Sequence, residues 1–473
     1  MLFFAYEYIF AFLPVVVLGY FWLCGRRLTT AAQAWLVGAS LFYYAWWNPS
    51  YLPIILLSIL FNWGVSALIH GRAHDGTGMH RAALAFGIFG NLAFLGYFKY
   101  TDFLIANVNQ ALATTLPELN LLLPLGISFF TFQQIAFLVD SHQGVVQERK
   151  FLNYMLFVTF FPQLVSGPIV HHKEMMPQFA SLRNKVVDYR NITRGLFLFT
   201  LGLAKKVLVA DTFARWAIAG FGKADSLTLL EGWVTSLSYT FQLYFDFSAY
   251  MDMALGAALL FNIRLPFNFN SPYKSLSIQD FWRRWHITLS RFLRDYLYIP
   301  LGGNRRSEAR TWINLLATFV LGGIWHGAGW TFIFWGFLHG LAAAIHRGWQ
   351  RLGLSLPKPV AWALTFLFVN AAWVFFRAET WADAMGVLGA MAGLGTPMQA
   401  GTLMPHTEAT PWVLLLLPLA LMVCLFAPNS HEITARFHPS LGRALALGTA
   451  AGAIAIYVVV DSTRVTEFIY FGF

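Results

Sequence analysis

Apolar residues in this chain fall in continuous runs. Stretches that could enter or span a bilayer lie near 5–24, 31–47, 51–69, 82–98, 121–139, 152–170, 193–211, 229–261, 311–325, 329–346, 360–376, 411–427 and 441–460. Many approach the roughly 20 residues that a membrane helix needs. The run 229–261 is long enough for two passes, and short runs such as 311–325 suit re-entrant or tilted helices. The pattern predicts about 11–13 membrane segments. Barrel strands would alternate apolar and polar with period two, and these runs do not. The expected fold class is therefore all-α, a polytopic helical membrane protein. No internal repeat, low-complexity tract or soluble domain is visible, so one integral-membrane domain is expected over 1–473. The missing repeat gives no support to an inverted-repeat transporter.

Composition agrees. Of 473 residues, 58% are hydrophobic and only 11% charged, against about 25% charged in soluble chains. A soluble enzyme, a disordered chain and a coiled coil are excluded. The net charge of +10 is not a nucleic-acid signature here, because Lys and Arg of membrane proteins collect in cytoplasmic loops. Cys24 and Cys424 lie far apart in or beside apolar runs and imply neither a disulfide nor a metal site. The run 5–24 lacks a basic region before it and reads as a retained helix, not a cleaved signal.

Charge also orients the chain. Arg26 and Arg27 follow the first run, Asn48–Pro49–Ser50 after the second is uncharged, and Arg72 and Arg81 follow the third. The loop expected over 101–120 has Asp102 and Glu118 and neither Lys nor Arg, and Arg149 and Lys150 come next. The alternation puts the N-terminus outside and the arginine loops inside.

The segment 264–310 breaks the apolar pattern. It holds Arg264, Lys274, Arg283, Arg284, Arg291, Arg294, Arg305, Arg306 and Arg310 against Asp280, Asp295 and Glu308, interleaved with six aromatic residues between Phe281 and Tyr298. Residues 277–298 read as one helix, N-capped by Ser277 with Asp280 three positions on. Basic and aromatic residues on one helix suit the inner membrane interface. Positive-inside anchoring explains about half of these charges. It does not explain His286.

Soluble-enzyme motifs are absent: no Walker A loop, no G-x-S-x-G, no H-E-x-x-H and no paired CxxC. His70, His74 and His80 share a short loop with Asp75 and read as solvated. The second informative place is Gly322-Gly-Ile-Trp-His-Gly-Ala-Gly-Trp330. An ionisable group at membrane depth is costly and marks function by default. The glycines permit close backbone approach, or a thin ligand. Neutral imidazole can take a proton from a hydroxyl or thiol near neutral pH. Chemistry alone leaves a catalytic and a packing role for His326 equally open. Arg310 and Arg347 flank a hairpin 311–346 that turns near Gly327–Gly329. His326 would sit about 24 Å in at 1.5 Å per residue, deep in the bilayer and reachable from both sides. His339, on the returning leg, reads either as packing or as a residue that supports the site from behind. Asp246 and Asp252 are about 240° apart on a helix and form no dyad, so each should hold a structural partner.

An ordered series of motifs now carries a resemblance. It consists of Tyr244-Phe-Asp-Phe-Ser-Ala-Tyr-Met-Asp-Met-Ala, Leu265-Pro-Phe-Asn-Phe-Asn-Ser-Pro-Tyr273, Asp280-Phe-Trp-Arg-Arg-Trp-His-Ile-Thr-Leu-Ser290, Asp295-Tyr-Leu-Tyr-Ile-Pro-Leu-Gly-Gly-Asn304 and Ile324-Trp-His-Gly327. With Gly126-Ile-Ser-Phe-Phe-Thr-Phe-Gln133 and Ser166-Gly-Pro-Ile169, it resembles the membrane-bound O-acyltransferase family, in its bacterial alginate O-acetyltransferase branch. The resemblance is dense over about 120–345. Ala249 and Met251 depart from the pattern, where the family has glycine and a small polar residue.

The resemblance implies a bundle with short or re-entrant helices around a central channel. It implies His326 as the catalytic histidine and His286 as the second polar residue upstream. The implied reaction moves acetyl from a cytoplasmic thioester, acetyl-CoA, toward an exopolysaccharide such as alginate. His326 would be general base on the acceptor hydroxyl. Within the inner mouth formed by 274–306, Lys274, Arg283, Arg284, Arg294 and Asn304 are the candidate donor-binding residues, since Arg and Lys can hold phosphates. No metal and no permanently bound cofactor is expected. The bacterial inner membrane is the expected location, with membrane lipid around the chain and no nucleic acid. A periplasmic acetyltransferase or acyl-carrier partner is expected to finish the transfer, because the exterior loops are too short to hold a polymer. D-alanyl transfer to teichoic acid, or acetylation of peptidoglycan or cellulose, would use the same fold. A transporter with a proton relay at His326 is the alternative from another class.

Overall fold

Helices account for all regular secondary structure among the described residues. The structure, a computed structural model, describes every residue except 71–77, 399–402, 408, 439, 461–465, 467 and 470–473. His74 and Asp75 of the predicted histidine loop lie outside the described residues. His80 does not sit in a solvated loop: it is buried near the start of the helix Gly78–Leu112. By length and composition, four described helices could cross a membrane: Tyr8–Gly25, Tyr51–Ile69, Gly78–Leu112 and Lys358–Arg377.

The chain folds as two compact units. The first comprises Met1–Leu201, Tyr250–Pro266 and Phe437–Val459. Its helices pack through small residues and paired amides, as helices do where the hydrophobic effect is weak. Asn62 and Asn91 exchange amide hydrogen bonds at 3.0 and 2.6 Å, and each also donates to a carbonyl of its own helix, Ser58 and Gly87. A Cβ at Gly87 would collide with Val65 and Leu138, and one at Gly90 with the ring of Phe61. Gly126, at φ 70°, starts the helix Ile127–His142, and a Cβ there would lie 2.8 Å from the carbonyl of Val165.

Three expectations are corrected here. The run 152–170 is not one helix: it breaks at Phe160 into Phe151–Thr159 and Phe161–Leu164, because Pro162 has no N–H to continue the ladder. The run 229–261 is a single 31-residue helix, Leu229–Leu259, since no proline or turn cluster interrupts it. The loop expected over 101–120 starts late, because helix Gly78–Leu112 runs on through its charge-poor end. Asp102 then accepts hydrogen bonds from the backbone N–H groups of Leu119 and Leu121, folding the following chain back on the helix.

The second unit comprises Gly202–Ala249, Phe267–Arg436 and Val460–Phe473. The predicted hairpin is present as the helices Glu308–His326 and Trp330–Arg351. Its seam is made of glycine. A Cβ on Gly336 would strike the carbonyl of Phe319, one on Gly340 would lie 2.9 Å from the Cα of Leu316, and one on Gly323 3.1 Å from the Cα of Gly336. At the turn, Gly327 is extended, and a Cβ there would run into the Phe332 ring. At the open end, Arg347 grips Glu308 with two hydrogen bonds of 3.1 and 3.0 Å, and Arg351 joins them.

Candidate active site

The last residue of Glu308–His326 is the candidate histidine itself. His326 is 4% exposed. Trp325, Trp335 and Phe376 surround its imidazole, with ring centres at 4.8, 5.1 and 5.1 Å, all three edge-on. Such a wall excludes water, so a proton or charge held there meets a low dielectric.

The segment 277–298 is not the single helix that its pattern suggests. Ser277 does cap it, its side chain accepting from the Asp280 N–H at 3.1 Å. The helix Ile278–Arg284 then ends, Trp285 is extended, and His286 adopts a left-handed conformation at φ 43° before Ile287–Leu293 begins. For a non-glycine residue that geometry costs about 1–2 kcal/mol. Asn268 holds it in place: its backbone carbonyl accepts from the Ile287 N–H at 3.0 Å and its side-chain oxygen from the Thr288 N–H at 2.9 Å. Asn270 N–H donates to the carbonyl of Arg284 at 2.9 Å. The stretch around Asn268 thus supplies from outside the bonds that the broken helix has lost.

His286 is fully buried. Neither ring nitrogen has a hydrogen-bond partner among the described residues. Burial pushes its pKa down to about 3, so the ring is neutral near pH 7. An unsatisfied buried polar group costs about 1–3 kcal/mol. Phe247 meets the ring edge-on at 4.9 Å. Trp325 lies at 6.5 Å, so one indole neighbours both histidines.

A cavity of about 660 Å³ opens beside this segment. Three of the five predicted donor-binding residues line it: Arg283, Arg294 and Asn304, together with Arg291, His346 and Arg347. Trp282 forms part of its wall, and its Nε1–H donates to Nδ1 of His339 at 3.2 Å. His339 is itself fully buried. Trp282 and His339 both contact Trp335, whose ring meets His326. A continuous aromatic wall therefore joins the cavity to the histidine.

The structure does not bring Lys274 or Arg284 to this cavity. The Lys274 ammonium donates to the carbonyl of Ala427 at 3.0 Å. Arg284 pairs with Asp280 at 2.9 Å and reaches the carbonyl of Asn270. Asp246 holds a structural partner as expected, lying 3.0 Å from the ammonium of Lys206. Lys205 and Lys206 escaped the sequence reading, although two adjacent lysines inside the apolar run 193–211 are themselves a signal.

The helical bundle thus holds two buried histidines, His286 and His326, near a cavity rimmed by arginines. Residues 127–377 match the membrane-bound O-acyltransferase family, and the chain belongs to it. It is an O-acyltransferase. It is 51% identical to a peptidoglycan O-acetyltransferase of Helicobacter pylori, covering 82% of this chain and 79% of that one. It is 40% identical to a probable alginate O-acetylase of Pseudomonas aeruginosa, over 84% and 76%. A teichoic acid D-alanyltransferase of Streptococcus thermophilus is 29% identical over half of this chain and 59% of its own.

Proposed function

We propose that this enzyme moves acetyl from cytoplasmic acetyl-CoA across the inner membrane for O-acetylation of a cell-envelope glycan, with peptidoglycan as the acceptor polymer. The observation that carries the reading is a pair of buried imidazoles sharing one indole neighbour, next to a cavity rimmed with guanidinium groups. Arg283 and Arg291 suit the phosphates of the donor, while Arg294 on the same rim already pairs with Asp295 at 2.7 Å. Asn304 at the cavity's edge suits its polar groups. Lys274 and Arg284, bonded elsewhere, leave the set.

His326 takes the proton of the acceptor hydroxyl as the oxygen attacks the thioester carbonyl. The carbon–oxygen bond forms, the carbon–sulfur bond breaks, and the thiolate leaves and is protonated. His286, neutral and without a hydrogen-bond partner among the described residues, orients the reacting groups. The arginine loops face the cytoplasm and the N-terminus the periplasm, following the charge alternation. A periplasmic partner takes the acetyl group to the polymer.

The higher identity to the peptidoglycan enzyme favours peptidoglycan over alginate, and the 40% relative keeps alginate as the second reading. Cells lacking the gene, analysed by mass spectrometry of muropeptides and secreted polysaccharide, test both. Loss of O-acetyl from muropeptides, restored by the wild type and not by His326→Ala, is the expected result. Loss confined to the secreted polymer moves the acceptor to alginate, and no loss from either overturns the proposal. Liposomes with acetyl-CoA inside and oligosaccharide outside test the relay: efficient acetylation with no second protein would refute it.

A further inference from the structure

A cluster of charge lies buried away from the cavity. Lys206, Asp211 and Asp246 are 1%, 4% and 2% exposed. The Lys206 ammonium lies 2.8 Å from Asp211 and 3.0 Å from Asp246. Lys206 belongs to a π-turn, Lys205–Ala210. Neighbours on a regular helix diverge by about 100°, yet here both lysines find inward partners, with Lys205 reaching the hydroxyls of Ser248 and Ser430 at 3.0 Å each. Two carboxyl groups face one ammonium, and buried ionic groups are tolerated when further hydrogen bonds help to satisfy them.

Those bonds come from far along the chain. The Thr466 hydroxyl donates to Asp211 at 2.6 Å and accepts from Lys206 at 3.1 Å. The Ile469 N–H donates to Asp246 at 2.9 Å. Between these two anchors Phe468 is buried at 3% exposure. Its ring packs on Phe247 at 5.9 Å, and Phe247 meets His286 edge-on at 4.9 Å. Phe247 directly follows Asp246, so one helical turn presents both the carboxylate and the ring.

We propose that Lys206, through Asp211, Asp246 and the anchored residues Thr466 and Ile469, is a positioning residue that seats Phe468 behind Phe247 and so sets the imidazole of His286. The proposal rests on the reading of His286 as part of the reacting centre. Among the described residues His286 has no hydrogen bond to fix its ring. Its orientation is therefore set by packing, and the packing behind Phe247 is tethered electrostatically.

The test uses membranes that carry the full-length protein together with the rest of the cell's acetylation machinery, supplied with acetyl-CoA, with O-acetyl transfer to glycan as the rate. Lys206→Met strips the cation from two buried carboxylates and is expected to accumulate poorly, so Phe468→Ala and Thr466→Val are the working variants. Phe468→Ala should lower kcat about ten- to a hundred-fold, the scale of a misplaced group, with donor KM within about two-fold and wild-type abundance. Phe468→Leu, which refills the space, should recover most of the rate. Diethyl pyrocarbonate, read by mass spectrometry, should modify His286 faster in Phe468→Ala while His326 reacts as before. Unchanged kcat per folded molecule, or unchanged His286 reactivity, overturns the positioning role. His286→Ala is the control. If it keeps full activity, the reading of His286 fails, and the reactivity readout still reports whether Phe468 seats the ring.

Discussion

His326 closes a helix and His286 opens one, and different means hold the two ends. The arm behind His326 is local. Two helices adjacent in sequence meet along glycines, and the histidine is the last residue before the turn. The break at His286 is long-range. It exists because Asn268, eighteen positions earlier, takes the amides of Ile287 and Thr288. The first histidine is placed by what is missing from its own neighbourhood, the second by what another stretch of chain supplies. An end built the first way should fail through its backbone seam, and one built the second way through a single side chain.

The largest expected effect is at His326. His326→Ala should remove at least about a hundred- to ten-thousand-fold of the transfer rate, the range of a general base, at normal abundance. Substantial product from a well-expressed variant would sink the catalytic role. Next comes Asn268→Ala, which strips the bond to Thr288. It should cost about 1 kcal/mol as a lost cap and reduce turnover about ten-fold through a mis-set His286, while Asn268→Asp keeps the acceptor and most of the rate. Equal losses for the two variants would show that the bond does not hold the break.

A smaller effect separates arginines that adjoin in sequence. Arg283→Ala should raise donor KM about five-fold, consistent with one charge-assisted bond. Arg284→Ala should leave donor KM unchanged, because its guanidinium is engaged with Asp280 and Asn270. Steady-state kinetics against donor concentration distinguish them, and equal shifts would erase the difference between the cavity's edge and its back. The smallest effect is on acid stability. His286 has a folded pKa lowered to about 3 by burial, against about 6.5 unfolded. The unfolded chain therefore binds the proton first, and stability present above pH ~6.5 falls as pH drops toward 3. In thermal scans, His286→Gln should flatten that decline; an identical pH profile would count against a buried neutral ring.

The comparison also explains what could be read in the sequence. The hairpin and its turn follow from glycines and flanking arginines within one stretch of forty residues. The Ser277 cap was equally local. The broken helix was not legible, because residues 277–298 have a helical pattern and the partner that interrupts it lies outside them. Counting arginines located the cavity but could not separate Arg283 from Arg284, whose fates depend on Asp280 four residues back. Lys206 and Asp211 were both present in one apolar run, and only Asp246, forty residues on, could not be matched to them from the pattern.

The glycine seam also fixes where this enzyme can change. Where Gly323, Gly336 and Gly340 meet backbone, the smallest available substitution adds a whole methyl group against atoms that cannot turn aside. That seam offers no graded adjustment, so selection cannot nudge His326 by small steps along it. Novelty in acyl group or acceptor has to enter through rings that can be resized one at a time, Trp335, Phe376 and Trp325, and through the basic edge of the cavity. A library meant to retarget the enzyme should randomise those walls and leave the three glycines alone.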